Sequence, residues 1–446
     1  MSNSTRLGLV LGILMSASLS TGSLVAQQQA APANALSADI DRLISEAQPQ
    51  LLEWRRHLHQ HPELSNREVE TAKYVADRLR SFGLEPQTGI ARHGVVALLK
   101  GGLPGPVVAL RADMDGLPVR EETDVPFASK AMGEYEGNPV GVMHACGHDT
   151  HVAMLLTAAK VLTQVRDRIP GTIKFIFQPA EEGVPAGEQP AGAEAMVAAG
   201  VMQNPKVDAV FGLHVFSNIE TGHLTYRSGP FMAASDQFEI IVKGRQTHGA
   251  TPWRGIDPIV VASQIVMGLQ TVVSRGVDIT KLPAIVTVGQ FQAGVRNNII
   301  PDSARLVGTI RTFDDGMQAD IHAKVKRIAE GIASAAGTTA EVIINKGYPV
   351  TSNDPALTAR MLPTLERVAP GAVQHSDLIT GAEDFTYFQR QAPGVFVFLG
   401  ITPAAQVGKA PQNHSPLFVV DEKALPTGVR ALAHLALDYL RLPPVR

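Results

Sequence analysis

Residues 172–183 read TIKFIFQPAEEG, an apolar run that ends in a proline and two glutamates. Similar runs, each ending in polar residues, are PVVALRADMDG (106–116), DAVFGLHV (208–215) and GVFVFLG (394–400). Stretches with helical apolar spacing lie between them, such as HVAMLLTAAKVLTQV (151–165) and AGAEAMVAAGV (191–201). Alternating buried strands and helices predict an α/β fold, with a mostly parallel sheet covered by helices on both faces.

The polar ends of these runs predict where chemistry is placed. In open sheets of this kind, ligands bind outside the carboxyl ends of the strands. Those ends carry ADMD (112–115), Glu181 with Glu182, and His214. We therefore expect carboxylates and an imidazole to meet at one edge of the sheet.

Residues 233–346 follow a different order, strand-helix-strand-strand-helix-strand. The segments are DQFEIIVKG (236–244), DPIVVASQIVMGLQTVVS (257–274), AIVTVGQFQ (284–292), ARLVGTIRTF (304–313), MQADIHAKVKRIAEGIASAAG (317–337) and TAEVIIN (339–345). This order is typical of a ferredoxin-like α+β unit. The parallel-sheet pattern resumes afterwards, so the unit is predicted to be an insert that divides a larger domain into residues 38–232 and 347–446.

Length and charge restrict the function classes. A chain of 446 residues with 45% hydrophobic residues can bury a large core and should form more than one structural unit. The net charge is −3 and the charges are scattered, which excludes the basic patch expected of a nucleic-acid-binding protein. Small molecules or short peptides are the expected partners.

The N-terminus resembles a secretory signal. Arg6 is the only charged residue before the apolar stretch LGLVLGILMSASLS (7–20), and small residues follow. We predict a signal peptide at about residues 1–26, a periplasmic or secreted mature protein, and no membrane contact after its removal, because the apolar stretch is too short for a mature anchor. One helix is predicted from a cap at Ser37 to Pro62. A second helix is predicted after it and should end at Gly83.

Cys146 is the single cysteine of the chain and lies in VMHACGHDTHVAML (142–155). One thiol cannot form a disulfide within the chain, so it is an inert buried group, a nucleophile or a metal-bound thiolate. His148 is two residues away and can converge with Cys146 from a loop that enters a helix at about Asp149. Successive side chains of an extended segment point apart, so one carboxylate of the Glu181–Glu182 pair could bind metal while the other acts as a base.

Seven segments together resemble the amidohydrolase branch of the M20 metallopeptidase family, from about residue 40 to the C-terminus. They are ALRADMDGLPV (109–119), MHACGHDTH (143–151), FIFQPAEEG (175–183), GLHV (212–215), THGATPWRGIDPI (247–259), GAEDF (381–385) and NHSPLF (413–418). The resemblance implies hydrolysis of the amide bond of N-acyl amino acids, such as hippurate-like substrates. A metallo-carboxypeptidase or a dipeptidase is the alternative, and a binding protein without catalysis is a third possibility.

The resemblance also implies a centre for two divalent cations, zinc or manganese, with nickel or cobalt possible. One cation would take Cys146, Glu182 and His414, and the other would take Cys146, His148 and His214. Glu181 would then be the general base, and Asp115 would orient an imidazole. Asp113 is left out of the ligand set.

For the insert, the resemblance implies a dimerisation or lid role within a homodimer. His248 would reach the active site of the partner subunit and stabilise the oxyanion, with Asn298 in a supporting substrate-binding role. Retention of Glu181 beside every expected ligand disfavours the binding protein. A cysteine nucleophile would leave the paired glutamates without a role.

Overall fold

The computed structural model describes residues 21–442. In chain order the helices are α1 (Thr21–Gln60), α2 (Val69–Ser81), α3 (His148–Gln164), α4 (Gly192–Ala198), α5 (Pro258–Gly276), α6 (Asp315–Ala335), α7 (Pro355–Val368), α8 (Thr386–Gln389) and α9 (Leu425–Arg441). The strands are β1 (Gln87–Ile90), β2 (Gly94–Lys100), β3 (Leu103–Asp113), β4 (Met132–Tyr135), β5 (Asn138–Gly141), β6 (Pro170–Gln178), β7 (Ala209–Glu220), β8 (Leu224–Tyr226), β9 (Gly229–Met232), β10 (Ala234–Lys243), β11 (Thr247–His248), β12 (Ile285–Ala293), β13 (Ile299–Ile300), β14 (Ser303–Thr312), β15 (Ala340–Lys346), β16 (Thr351–Asn353), β17 (Val373–His375) and β18 (Gly394–Thr402).

The main sheet has the order β1-β2-β6-β3-β7-β18-β8-β17. Its four central strands, β6, β3, β7 and β18, run parallel to one another. Helices α1, α2, α3, α7 and α9 cover one face, and α4 and α8 cover the other. The predicted α/β fold with a mostly parallel sheet is confirmed, since strands buried on both faces consist of nearly continuous apolar runs.

The outer strands depart from the parallel order. β1 and β2 pair antiparallel, as do β2 and β6. Residues 91–93 alone connect β1 to β2, and so short a link can join only antiparallel strands, because a parallel crossover needs a dozen or more residues.

Helix α1 begins earlier than expected. It starts at Thr21, so Ser37 lies within the helix and does not cap it. The reason is that Leu36 is already buried, in line with Ile40 and Ile44, and the preceding residues are rich in alanine, the best helix former. Residues 1–20 of the expected signal peptide lie outside the described residues. Helix α2 ends as predicted, with Gly83 just beyond it at φ +77°.

Residues 233–346, called the insert below, contain a second sheet. Its strand order is β12-β14-β10-β15, all neighbours are antiparallel, and α5 and α6 pack on one face. Helix α5 is the one helix within residues 21–442 with the length and hydropathy of a membrane span. Val261, Ile265 and Leu269 on α5 are buried in the insert's core, while Val260 and Met267 are exposed. The exposed side of α5 therefore carries apolar residues among polar ones.

The fold brings four chain segments to one edge of the main sheet. β3 ends at Asp113, which pairs with Gln178 at the end of β6. The Glu181–Glu182 pair follows β6, and His214 extends β7 beyond its pairing with β3. Helix α3 starts at His148, two residues after Cys146, and it is buried along most of its length.

Candidate metal centre

Cys146 lies in the tight turn that enters α3. The next residue, Gly147, has φ +92°, and a Cβ at this position would lie 2.3 Å from Val215 Cγ2, so only glycine fits. The Cys146 Sγ atom is 3.3 Å from His214 Nε2 and 3.3 Å from His414 Nε2. Segments far apart in the chain thus meet at the one thiol.

Two groups of potential ligands share this thiol. The first is Cys146, His148 and His214, and the second is Cys146, Glu182 and His414. In each group, the ligand atoms lie within 4.8 Å of one another. The structure therefore brings together both sets that the sequence resemblance implies.

The hydrogen bonds of the imidazoles suit a cation between them. His148 Nδ1 lies 2.9 Å from the carbonyl oxygen of Asp115, and His214 Nδ1 lies 2.6 Å from that of Val215. A carbonyl can only accept, so each Nδ1 carries a proton, and in the neutral imidazole each Nε2 offers a lone pair. His148 Nε2 is buried without a hydrogen-bond partner among the described residues. Metal-binding histidines are held by the second ring nitrogen in this way, so the residues fit divalent cations.

The charge balance also favours cations. The carboxylates of Asp113, Asp115, Glu181, Glu182, Glu383 and Asp384 surround the site, and Arg111 is the guanidinium buried among them. Burial and the carboxylates of Glu182 and Glu181 raise the pKa of the Cys146 thiol well above its ordinary value. Such a thiol is a poor nucleophile, whereas bound divalent cations would favour the thiolate. Metal ligation is the reading of Cys146 that this environment supports best.

Glu181 lies beside the cluster with its carboxylate buried. The ligand atoms of His148, Glu181 and Glu182 fall within 4.8 Å of one another. Burial, together with Glu383 and Glu182, raises the pKa of Glu181 well above its ordinary range. The Glu181 carbonyl accepts a hydrogen bond of 2.6 Å from the Tyr348 hydroxyl, which holds this segment in place. A carboxylate with a raised pKa suits reversible proton transfer.

Asp115 connects two parts of the site. Its Oδ1 atom is 3.3 Å from His148 Nδ1, and its Oδ2 atom accepts hydrogen bonds from the Ser65 hydroxyl at 2.6 Å and the Glu182 N–H at 3.0 Å. It therefore orients one imidazole and fixes the backbone of one carboxylate ligand. The structure thus places Asp115 beside His148, and its catalytic importance stays a prediction.

A buried network around Arg111 was missed by sequence reasoning. The guanidinium donates hydrogen bonds to Asp113 at 2.8 Å, and to Glu383 and Asp384 at 2.9 Å each. Its Nε donates to Gln178 at 2.8 Å. The acidic pair in GAEDF thus has a structural role, to hold the ends of β3 and β6 against the loop before α8. An arginine within an apolar strand was the available signal.

The same network explains why Asp113 is not a free ligand. Besides Arg111, Asp113 binds His151 Nδ1 at 2.5 Å through its other oxygen. His151 Nε2 in turn accepts the Val215 N–H at 2.9 Å. Both carboxylate oxygens of Asp113 are therefore engaged.

Asn413 is a further residue that sequence reasoning missed. Its amide donates to the carbonyls of Cys146 at 3.2 Å and Val215 at 3.1 Å, and its oxygen accepts the Ser217 N–H at 3.1 Å. The adjacent His414 N–H donates to the Ala145 carbonyl at 2.8 Å. Asn413 thus ties the His414 loop to the Cys146 turn and to β7.

His248 and Asn298 lie together in the insert, apart from the cluster. His248 is exposed at β11, where its Nδ1 accepts the Ala250 N–H at 3.0 Å. The Asn298 carbonyl accepts the Gly249 N–H at 2.8 Å. Neither residue is hydrogen-bonded to any of the candidate ligands in the part of the chain that the structure describes.

Comparison with known proteins agrees with this geometry. The sequence profile of peptidase family M20/M25/M40 matches residues 109–438. The chain is 41% identical over 398 residues to thermostable carboxypeptidase 1 of Saccharolobus solfataricus, which covers 89% of this chain and 97% of the relative. It is 45% identical over 317 residues to the N-acyl-L-amino acid amidohydrolase of Geobacillus stearothermophilus. This alignment covers 71% of this chain and 81% of the relative.

A solved structure from Bacillus subtilis, described as a dinuclear metal binding peptidase from the M20 family, superimposes with a TM-score of 0.74 and 36% identity. The match covers 89% of this chain and 99% of that one. This chain and its relatives thus share the α/β fold, a site suited to metal binding, and the hydrolysis of amide or peptide bonds. The chain belongs to peptidase family M20/M25/M40.

Proposed function

We propose that this chain hydrolyses the amide bond of N-acyl amino acids with two divalent cations and Glu181 as general base. One observation carries the proposal. Two ligand groups share Cys146, and the buried carboxylate of Glu181 lies beside them without belonging to either. A single-metal site or a cysteine nucleophile would not need this arrangement.

In this mechanism Glu181 moves the proton. Two divalent cations held by the cluster would polarise the scissile carbonyl and acidify the attacking water. Glu181 takes a proton from that water and later gives it to the amine that leaves as the amino acid, so its protonation state is restored. Asp115 and Asn413 act indirectly, because they hold His148 and the His414 loop in position.

Arg311 supports an amino acid as the leaving part of the substrate. It lines a cleft of about 1020 Å³ between the insert's sheet and the loop after Glu182. Its side chain is half-buried, and the carboxylate that interacts with it, Asp236, is also hydrogen-bonded to Gln318 and His322. The Arg311 guanidinium could hold a carboxylate by two parallel hydrogen bonds.

A homodimer formed through the insert completes the proposal. β12 is an edge strand, and the exposed residues Val260 and Met267 of α5 lie in the same unit. Edge strands and apolar helix faces are surfaces that a two-fold related copy can cover. Pairing of the inserts would leave His248 free to reach the partner's cluster, where it would stabilise the oxyanion with help from Asn298.

A carboxypeptidase is the second candidate, and it rests on the Saccharolobus relative of that name. Both reactions use the same metal centre, and Arg311 could bind the carboxylate of either substrate. They differ in what lies on the acyl side of the scissile bond, a simple acyl group or a peptide.

A metal-supplemented substrate panel tests the proposed function. Protein stripped with a chelator should be inactive, and zinc, manganese, nickel or cobalt should restore turnover. N-acyl amino acids are expected to be hydrolysed with higher kcat/KM than acylated dipeptides or unblocked dipeptides, as measured by release of the free amino acid. Higher kcat/KM for acylated dipeptides would establish the carboxypeptidase instead, and full activity after metal removal would contradict both.

Mixed dimers test the role of His248. Glu181→Gln subunits and His248→Ala subunits should each be inactive alone, and mixing them should restore some activity. The reason is that a hybrid dimer contains one site with an intact Glu181 and an intact His248 from the partner. Native mass spectrometry verifies that subunits exchange. Hybrids that form but remain inactive would show that His248 does not act across the interface.

A further inference from the structure

A second recess opens beside Glu182 and borders the Arg311 cleft at Gly183. It has a volume of about 140 Å³. Its apolar walls are formed by Leu64, Leu117, Pro118, Tyr135 and Pro185, with Gly116 and Gly183 between them. This recess has no role in the mechanism described above.

The inner wall of the recess is built on paired backbone. Leu64 forms a parallel β-bridge with Gly116, and Leu117 forms an antiparallel β-bridge with Met143. The Gly116 N–H donates to the Glu63 carbonyl at 2.7 Å, and Leu117 and Met143 exchange hydrogen bonds of 2.9 and 3.1 Å. The backbone polar groups of this wall are therefore already satisfied, and the surface offered to a ligand is apolar.

Two of the polar side chains at the rim, Ser65 and Arg67, are engaged, and a third, Glu134, is exposed to solvent. The Ser65 hydroxyl donates a hydrogen bond to Asp115. Arg67 binds both carboxylate oxygens of Glu188, at 2.7 and 3.0 Å, and the Asn66 amide donates to the same group at 3.1 Å. These hydrogen bonds with Arg67 and Asn66 lower the pKa of Glu188 to about 2. The contact holds the loop that carries Pro185 against the Leu64 segment and so preserves the shape of the recess.

The position of the recess relates it to the scissile bond. Glu182, a candidate ligand, lines the recess, and Gly183 lines both the recess and the Arg311 cleft. A substrate with its amide carbonyl at the cluster and its carboxylate at Arg311 must therefore direct its other end away from that cleft. The recess is a space of this kind that borders the candidate ligand Glu182.

We propose that this recess is the acyl-binding subsite, and that its volume limits the acyl group to about one six-membered ring or a short alkyl chain. The inference rests on the proposed function, because it assumes an N-acyl amino acid at the cluster. A cavity of about 150 Å³ with aliphatic walls holds one benzene molecule, and two fused rings exceed that volume. Leu117 and Tyr135 are the wall residues whose size sets this limit in the proposal.

The test compares three substrates with similar carbonyl chemistry, the N-acetyl, N-phenylacetyl and N-(1-naphthyl)acetyl derivatives of one amino acid. The unmodified holoenzyme should prefer phenylacetyl over both others, by about 10-fold or more in kcat/KM. Tyr135→Ala, which opens the recess, should raise the naphthylacetyl to phenylacetyl ratio by about 10-fold or more. Leu117→Trp, which fills it, should lower the phenylacetyl to acetyl ratio by a similar factor.

Met132→Ala is the matched control. Met132 lies on the same hairpin as Tyr135, its side chain is exposed, and it does not line the recess. Its substrate ratios should equal those of the unmodified enzyme. Because each ratio compares two substrates on one preparation, partial loss of folded protein does not change it, and the Tyr135 variant suffices if Leu117→Trp does not fold.

Two kinds of failure are distinguishable. If the unmodified enzyme hydrolyses none of the three N-acyl substrates, the proposed function is wrong. If it hydrolyses them but the ratios are the same in Tyr135→Ala and the unmodified enzyme, the function stands and the acyl subsite lies elsewhere.

Discussion

Glu181→Gln is expected to lower kcat on an N-acyl amino acid by about 10² to 10⁴ while the protein keeps both metal ions. Glutamine has nearly the same shape as glutamate but cannot accept the proton of the attacking water. The Glu181 carboxylate belongs to neither ligand group that contains Cys146, so the proposal assigns the cations to those groups and the proton transfer to Glu181. Steady-state kinetics and elemental analysis of the same preparation measure the two effects.

Glu182→Gln is the matched comparison, since it makes the same change at the next residue. Glu182 Oε1 lies 3.3 Å from His414 Nε2 and belongs to a ligand group with Cys146. This variant should lose metal, and added metal should restore part of its activity. Equal metal loss in the two variants would refute the division of roles between the two glutamates.

Cys146→Ser is expected to lose both metal and activity, with kcat/KM lower by more than 10². Mutation of residues that only hydrogen-bond to metal ligands already lowers metal affinity or activity by about 10- to 100-fold. Cys146 is itself a candidate ligand, and both groups share it. A serine hydroxyl is a poor bridging ligand because it rarely ionises. Metal content per chain and kcat/KM at saturating metal are the measurements.

The same variant separates the three readings of the lone cysteine. An inert thiol would leave metal content and rate unchanged, and a nucleophile would lose rate but keep both metals. Cys146→Asp provides a control, because a carboxylate of similar reach can bridge two cations and should retain more metal than serine does. A Cys146→Ser protein with two metals per chain would exclude the bridging role.

Sequence alone was sufficient for the elements whose signals are local. The apolar runs that become β3, β6, β7 and β18 predict the parallel core, because strands buried on both faces consist mostly of apolar residues. The predicted start of α1 was wrong, because the burial of Leu36 depends on packing against other elements.

For the site, sequence provided the residue types and their expected grouping through motif resemblance. Cys146, His148, Glu182, His214 and His414 do meet in the structure. Cys146, His148 and Glu182 stand near a helix start or a strand end, where backbone direction and fold class together determine their position, whereas His214 lies within β7 and His414 in a loop. The role of Glu181 and the choice of metal stay predictions.

Only the tertiary structure decided what surrounds those residues. Arg111 and Glu383 are separated by 272 positions, and Asn413 lies 267 positions from Cys146, yet each pair is joined by a hydrogen bond. The acyl recess likewise combines Leu64, Leu117, Tyr135 and Pro185 from separate segments. No local pattern encodes such contacts, because they depend on how completed elements pack together. The sequence by itself therefore determined the fold class and the candidate ligands, whereas packing decided their orientation, their charge environment and the shape of the space beside them.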